Sequence, residues 1–120
     1  MAGKFCVTIT HAKDNADKAT VAFVIANAAV ASDKDTMVFL STEGVRLSQQ
    51  GYCDDIHEDG FAPLAQLVAN FVKAGGKIWV CSPCFKKRGL VEEQLIAGTT
   101  MVGGAKLVEF LADGSPCVSY

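Results

Sequence analysis

Apolar and polar positions change period several times along the chain, and each change marks an element. Residues 4–10, Lys4-Phe5-Cys6-Val7-Thr8-Ile9-Thr10, are β-branched and aromatic and alternate, which predicts a strand. Asp14 and Asn15 then offer helix-capping oxygens. From Asp17 to Ala31, Val21, Val24, Ile25, Ala28 and Ala29 recur at helical spacing, and alanine enrichment favours the helix. That helix is apolar almost all round, so it is expected to be buried and suited to subunit contact. Thr36-Met37-Val38-Phe39-Leu40 is a continuous apolar run, as in a strand covered on both faces. A loop through Gly44, a helical turn at 45–50 and a polar, acidic stretch from Gly51 to Gly60 follow. Pro63 suits a helix start, and Leu64, Leu67, Val68, Phe71 and Val72 form a stripe that ends at Gly75-Gly76. Lys77-Ile78-Trp79-Val80-Cys81 reads as the third strand. Beyond Gly89 the pattern predicts a fourth strand at Leu95-Ile96-Ala97. A helix over 101–112, capped by Thr100 and stopped by Gly114, and a last strand over 116–119 complete the chain.

Strand and helix thus alternate four times, which predicts a three-layer α/β fold with a mostly parallel sheet. The 120 residues fit one domain, 1–120, and bury roughly two-thirds of the unfolded surface. Right-handed crossovers gather the strand-to-helix loops on one edge, where such sheets bind ligands. His11, the segment Ser41 to Gly44, Cys81 and the segment Ala97 to Thr100 are expected there. The acidic 51–60 segment hangs from the second of these loops.

Charge and composition narrow the classes. Eleven basic against thirteen acidic residues exclude a strongly basic nucleic-acid binder. An aromatic fraction of 8% argues against a base-stacking platform. The longest apolar runs, Val21 to Ala26 and Ala28 to Ala31, fall far short of the ~20 residues that span a bilayer. With no signal-peptide pattern after Met1, the expected location is cytoplasmic, with neither membrane nor nucleic acid as partner. There thiols stay reduced, and five cysteines suggest chemistry rather than a disulfide scaffold.

Trp79-Val80-Cys81-Ser82-Pro83-Cys84-Phe85-Lys86-Lys87-Arg88-Gly89-Leu90 carries the strongest signal. It leaves a buried strand and turns into a short helix, with Ser82 as cap and Pro83 at the first position. Cys81 and Cys84 then flank unpaired backbone N–H groups, and Lys86, Lys87 and Arg88 add positive charge. That setting lowers a thiol below its usual pKa of about 8.5 and makes it nucleophilic. An inert core cysteine is the competing reading for Cys81. Zinc needs a second close pair, and Cys53 and Cys117 lie far off, so no metal is expected. The 53–59 loop groups Cys53, His57 and four carboxylates and reads mainly as a solvated acidic segment; Cys53 as a resolving thiol is the sharper alternative. His11 could assist proton transfer or simply hydrogen-bond at the surface. Cys6 and Cys117 are expected to be buried and unreactive. The 86–88 trio is either a solvated face or a means of tuning the thiols and docking anionic partners.

Val80-Cys81-Ser82-Pro83-Cys84, with Arg88-Gly89-Leu90 after it, resembles the cysteine loop of DsrE/DsrF-like proteins, including TusD-like sulfur-relay subunits and YchN-like proteins. The likeness continues through the strand and Ala-rich helix at 4–31, Glu43-Gly44-Val45 and the Gly-rich region before the last helix. The resemblance implies a five-stranded parallel sheet, a homotrimer or homohexamer, and no cofactor. It also implies a persulfide on Cys81, seven residues before Arg88, with Cys84 as second thiol. Its partners would be sulfur donor and acceptor proteins or small thiols. Two other readings compete: a thiol–disulfide oxidoreductase using Cys81 and Cys84, and a non-catalytic oligomeric partner-binding module. Thioredoxin-like domains place C-x-x-C early in the chain, which counts against the first.

Overall fold

In the computed structural model, which describes residues 3–120, five strands form one sheet. They are β1 (Lys4–Ile9), β2 (Asp35–Leu40), β3 (Lys77–Cys81), β4 (Thr99–Val102) and β5 (Cys117–Ser119), in the order β4-β3-β2-β1-β5. Every pairing is parallel. The helices are α1 (Ala16–Ala31), α2 (Leu64–Lys73), α3 (Ser82–Lys87) and α4 (Gly104–Ala112). The predicted α/β architecture and parallel sheet are therefore present.

The strand order explains the layering. From β1 to β4 the chain steps one way across the sheet, so right-handed crossovers put α1, α2 and the β3–β4 connection on one face. The step from β4 back to β5 runs the other way and puts α4 on the opposite face. The cores agree with this. Val7, Ile9, Val38, Leu40, Ile78 and Val80 point toward α1, α2 and α3, among Phe23, Val68, Phe71 and Phe85. Cys6, Met37 and Phe39 point the other way, toward Val102 and Phe110. Trp79 packs edge-on against Phe110 at 5.6 Å on this second face. This alternation accounts for the unbroken apolar run of β2, which is covered on both sides.

α1 starts where expected: the Asn15 side chain accepts the Lys18 N–H at 3.1 Å. Asn27 secures α1 to α2, with its amide donating to the Phe23 carbonyl at 2.8 Å and the Leu67 carbonyl at 3.0 Å. Asn27→Ala removes the side-chain tie between the two helices and is expected to cost about 1 kcal/mol, measured by urea unfolding.

The chain beyond Gly89 departs from the pattern. Leu95-Ile96-Ala97 is not a strand of the sheet; Leu95 forms only an isolated bridge to Gln49, and the Ile96 N–H donates to the Ser48 carbonyl at 2.9 Å. The fourth strand is Thr99–Val102, and Thr100 lies inside it rather than capping a helix. The helix starts only at Gly104, so both glycines precede or open it. The 97–100 segment consequently enters β4 at the amino edge of the sheet and is removed from the expected ligand edge. Around the carboxyl edge, a 3-10 helix at Thr42–Ser48 replaces the loop and turn predicted at 41–50.

Candidate functional site

β3 ends at Cys81, which takes the cap position of α3, while Ser82 and Pro83 form its first turn. The cap is thus one residue earlier than the sequence suggests. α3 places Cys84 one turn above Cys81, and the Cys84 backbone N–H supports the Cys81 sulfur. The two side chains are close enough to influence each other's ionisation. Both are half-buried and free, and Cys81 bridges the apolar clusters of the two sheet faces. Gly89, at φ +65, ends the helix as expected.

The pair shares its ionisation unequally. Burial pushes the Cys81 thiol up, and the neighbouring Cys84 adds to the rise against the Cys84 N–H and Arg88. Burial opposes Cys84 as well. There it is outweighed by the neighbouring Cys81, the Thr42 backbone N–H, and the charges of Arg88 and Lys87, so Cys84 falls below the ordinary thiol range. The acidic member of the reduced pair is therefore Cys84, whereas the sequence pointed to Cys81. The lysine whose charge favours the Cys84 thiolate is Lys87; Lys86 beside it is exposed as well.

Two residues without a role in the sequence reading organise this site. Thr42 has φ +49, a left-handed conformation that a β-branched residue rarely adopts. Its hydroxyl donates to the Ser41 carbonyl at 2.7 Å or to that of Thr10 at 2.9 Å, which holds the turn in place. The strained backbone turns the Thr42 N–H toward the Cys84 sulfur. Glu43 is the second. It accepts from Arg46 Nε at 2.8 Å and from Arg88 Nε at 2.7 Å, and both arginines hold its carboxyl below the usual range. Arg88 also donates to the Cys84 carbonyl at 3.2 Å, and its side chain is only 16% exposed. Arg88 thus fastens the cysteine helix to the 42–48 turn.

The other sequence candidates are not drawn into this cluster. His11 lies on the same edge, but its Nδ1 pairs with Asp14 Oδ2 at 2.8 Å. The Asp14 carboxyl is lowered first by the Ala12 N–H and then by His11. Cys53 is buried; its thiol donates weakly to the Leu47 carbonyl at 3.7 Å. Burial, with the Asp54 charge, pushes it up to about 12. It lines an apolar cavity of about 430 Å³ with Leu47, Val68, Val72 and Ile96. His57 contacts the Phe61 carbonyl at 2.8 Å, and among the described residues no three His, Cys, Asp or Glu side chains gather to hold a metal. Cys117 is exposed, against expectation, because β5 is a three-residue edge strand.

Comparison with known proteins bears on the fold and the family. Protein MJ0760 of Methanocaldococcus jannaschii is 30% identical over 103 residues, which are 86% of this chain and 38% of that protein. The chain therefore spans well under half of that relative. Protein MJ0989 of the same organism is 28% identical over 117 residues, covering 98% of this chain and 99% of its own. Both are described as uncharacterized. The crystal structure of the ychN protein from E. coli shares the fold at a TM-score of 0.79, with 16% identity over 98% of this chain and 99% of that one. The family description that matches is the DsrE/DsrF-like family, over residues 3–119, and the chain belongs to that family.

Proposed function

We propose that this protein handles sulfane sulfur through a persulfide on Cys81, with Cys84 as resolving thiol. The observation that carries the reading is the adjacent Cys81–Cys84 pair, with Cys84 the more acidic member, at the carboxyl edge of a parallel sheet. Cys84, the more readily ionised of the two, can take up the Cys81 proton in its thiolate form. As Cys81 attacks the outer sulfur of a donor persulfide, its proton passes to Cys84. Cys81 becomes Cys–S–SH and the donor leaves as a thiolate. An acceptor thiolate can then take the outer sulfur and restore Cys81. Alternatively, Cys84 attacks the inner sulfur, releasing hydrosulfide and leaving a Cys81–Cys84 disulfide that external thiols reduce. The position of Cys81, seven residues before Arg88 as in the family's relay subunits, favours it as the loaded sulfur. No helix among the described residues is long and apolar enough to cross a membrane. Donor and acceptor proteins or small thiols, a homotrimer or homohexamer, and a cytoplasmic location complete the proposal.

Mass analysis after incubation with a sulfane-sulfur donor tests it. Wild type is expected to gain one sulfur, mapped to Cys81, and Cys81→Ser none. Cys84→Ser should hold its added sulfur longer, having lost the resolving thiol. Equal gain by Cys81→Ser overturns the assignment. A Cys81–Cys84 disulfide with insulin-type reductase activity and no sulfur uptake would instead mark an oxidoreductase.

A further inference from the structure

We propose that Cys6 and Cys117 form a second redox site, which takes a small disulfide such as glutathione disulfide and closes into a cross-strand bond. The two are direct partners in the parallel β1–β5 register. Neighbouring strands run about 4.8 Å apart, inside the span of roughly 4.4–6.8 Å that disulfide Cα atoms require. The two thiols are close enough for Cys117 to influence the ionisation of Cys6. The backbone around them is pinned: Cys6 N–H to the Pro116 carbonyl at 3.0 Å, Tyr120 N–H to Thr8 at 2.8 Å, and Thr8 Oγ1 to Ser119 Oγ at 2.7 Å. The register and the strand spacing thus suit a cross-strand bond.

This pair is separate from the first. Cys6 shares a row with Met37 and Lys77, four residues before Cys81 along β3 and two strands across. Cys117 lies one strand farther. No sulfur can pass directly between the two sites.

Exposure fixes the order of events. Cys6 is fully buried, whereas Cys117 faces solvent on the edge strand. The Cys117 thiolate attacks glutathione disulfide, whose S–S bond breaks and expels one glutathione thiolate. A mixed disulfide remains on Cys117. Cys6 loses its proton to solvent and attacks the Cys117 sulfur, expelling the second glutathione. Two protein thiols are oxidised and one glutathione disulfide is reduced, so electrons balance. Burial, aided by the neighbouring Cys117, pushes Cys6 up to about 12, so the second step is the slow one. It accelerates as pH rises.

The test uses Cys53→Ser/Cys81→Ser/Cys84→Ser protein and wild type in parallel, so that a folding defect in the variant cannot decide the result. Each is reduced, treated with glutathione disulfide, and followed by intact mass and non-reducing peptide mapping. The expected course is one transient adduct on Cys117, then a species two hydrogens lighter with a Cys6–Cys117 linked peptide. Resolution should quicken about tenfold per unit between pH 7 and 9. The closed form should melt several degrees higher, because the link closes a loop of over a hundred residues. Adding Cys6→Ser should stop the reaction at the adduct. A lasting adduct with Cys6 present, no reaction at Cys117, or linkage of Cys6 or Cys117 to another cysteine in wild type overturns the proposal. None of these outcomes depends on sulfur loading at Cys81.

Discussion

Gly44→Ala is expected to destabilise the protein by about 3 kcal/mol or more, lowering its melting temperature on the order of 10 °C. A Cβ at Gly44 would lie 2.2 Å from the Ile9 carbonyl oxygen and 2.9 Å from its carbon. Both are backbone atoms at the end of β1, and the same oxygen accepts the Ser41 N–H at 3.1 Å. No rotamer change relieves such a contact; either the 42–48 turn lifts away or the β1–β2 junction opens. If the turn lifts, Thr42 and Glu43 move with it, and Cys84 loses the Thr42 N–H and the tether through Arg88. Slower alkylation of Cys84, even well below the melting temperature, should accompany the loss of stability. Gly104→Ala is the control. It sits in open space at the start of α4, and it should be neutral or slightly stabilising. Thermal melts and timed iodoacetamide labelling read both effects.

Arg88→Ala should raise the Cys84 pKa and cut its alkylation rate near neutral pH about tenfold, with the whole rate–pH profile displaced upward. Arg88 acts twice. Its charge favours the Cys84 thiolate, and its bonds to Glu43 and to the Cys84 carbonyl hold α3 against the turn that presents Thr42. Glu43→Gln separates these roles, since it leaves the cation but weakens the tether; a smaller displacement is expected. The same network predicts an acid limit. The Glu43 carboxyl is lowered in the folded protein, first by Arg88 and then by Arg46. Its stabilisation is therefore complete above the ordinary glutamate value of 4.5 and is lost as pH falls through the lower folded value. Exposure of the carboxylate keeps that contribution modest. An unchanged profile in Arg88→Ala would mean that Cys81, the Thr42 N–H and Lys87 set the acidity of Cys84 without it.

How much of this was legible in the sequence depended on whether one period dominated a segment. β1, α1, β2, α2 and β3 each carry a single unbroken pattern, and their limits match to within a residue or two. The stretch after Gly89 carries competing signals. Leu95-Ile96-Ala97 is apolar because it covers the cavity beside Leu47 and Val72, not because it pairs in the sheet. Thr100 has the chemistry of a cap, but pairing with β3, where Trp79 is its partner, prevailed over local preference. At the site, strand, turn and helix signals converged on Cys81 and Cys84. The division of charge between them was not legible, because it depends on Thr42 and Glu43, about forty residues away in sequence. Threonine is also among the residues least expected at φ +49, so no local rule points to it.

The strand order also governs how the molecule assembles in time. β1 is an interior strand of the finished sheet, yet its neighbour β5 lies over a hundred residues farther along the chain. During synthesis β1 can pair with β2 early, while its other side waits for nearly everything else to be made. That side is a bare row of backbone donors and acceptors, the kind of template on which foreign strands add. Pairing across so long a separation is also slow to form. The short β5, with its hydrogen bonds to Thr8 and Thr10, is thus the closing step that turns a sticky intermediate into a protected sheet.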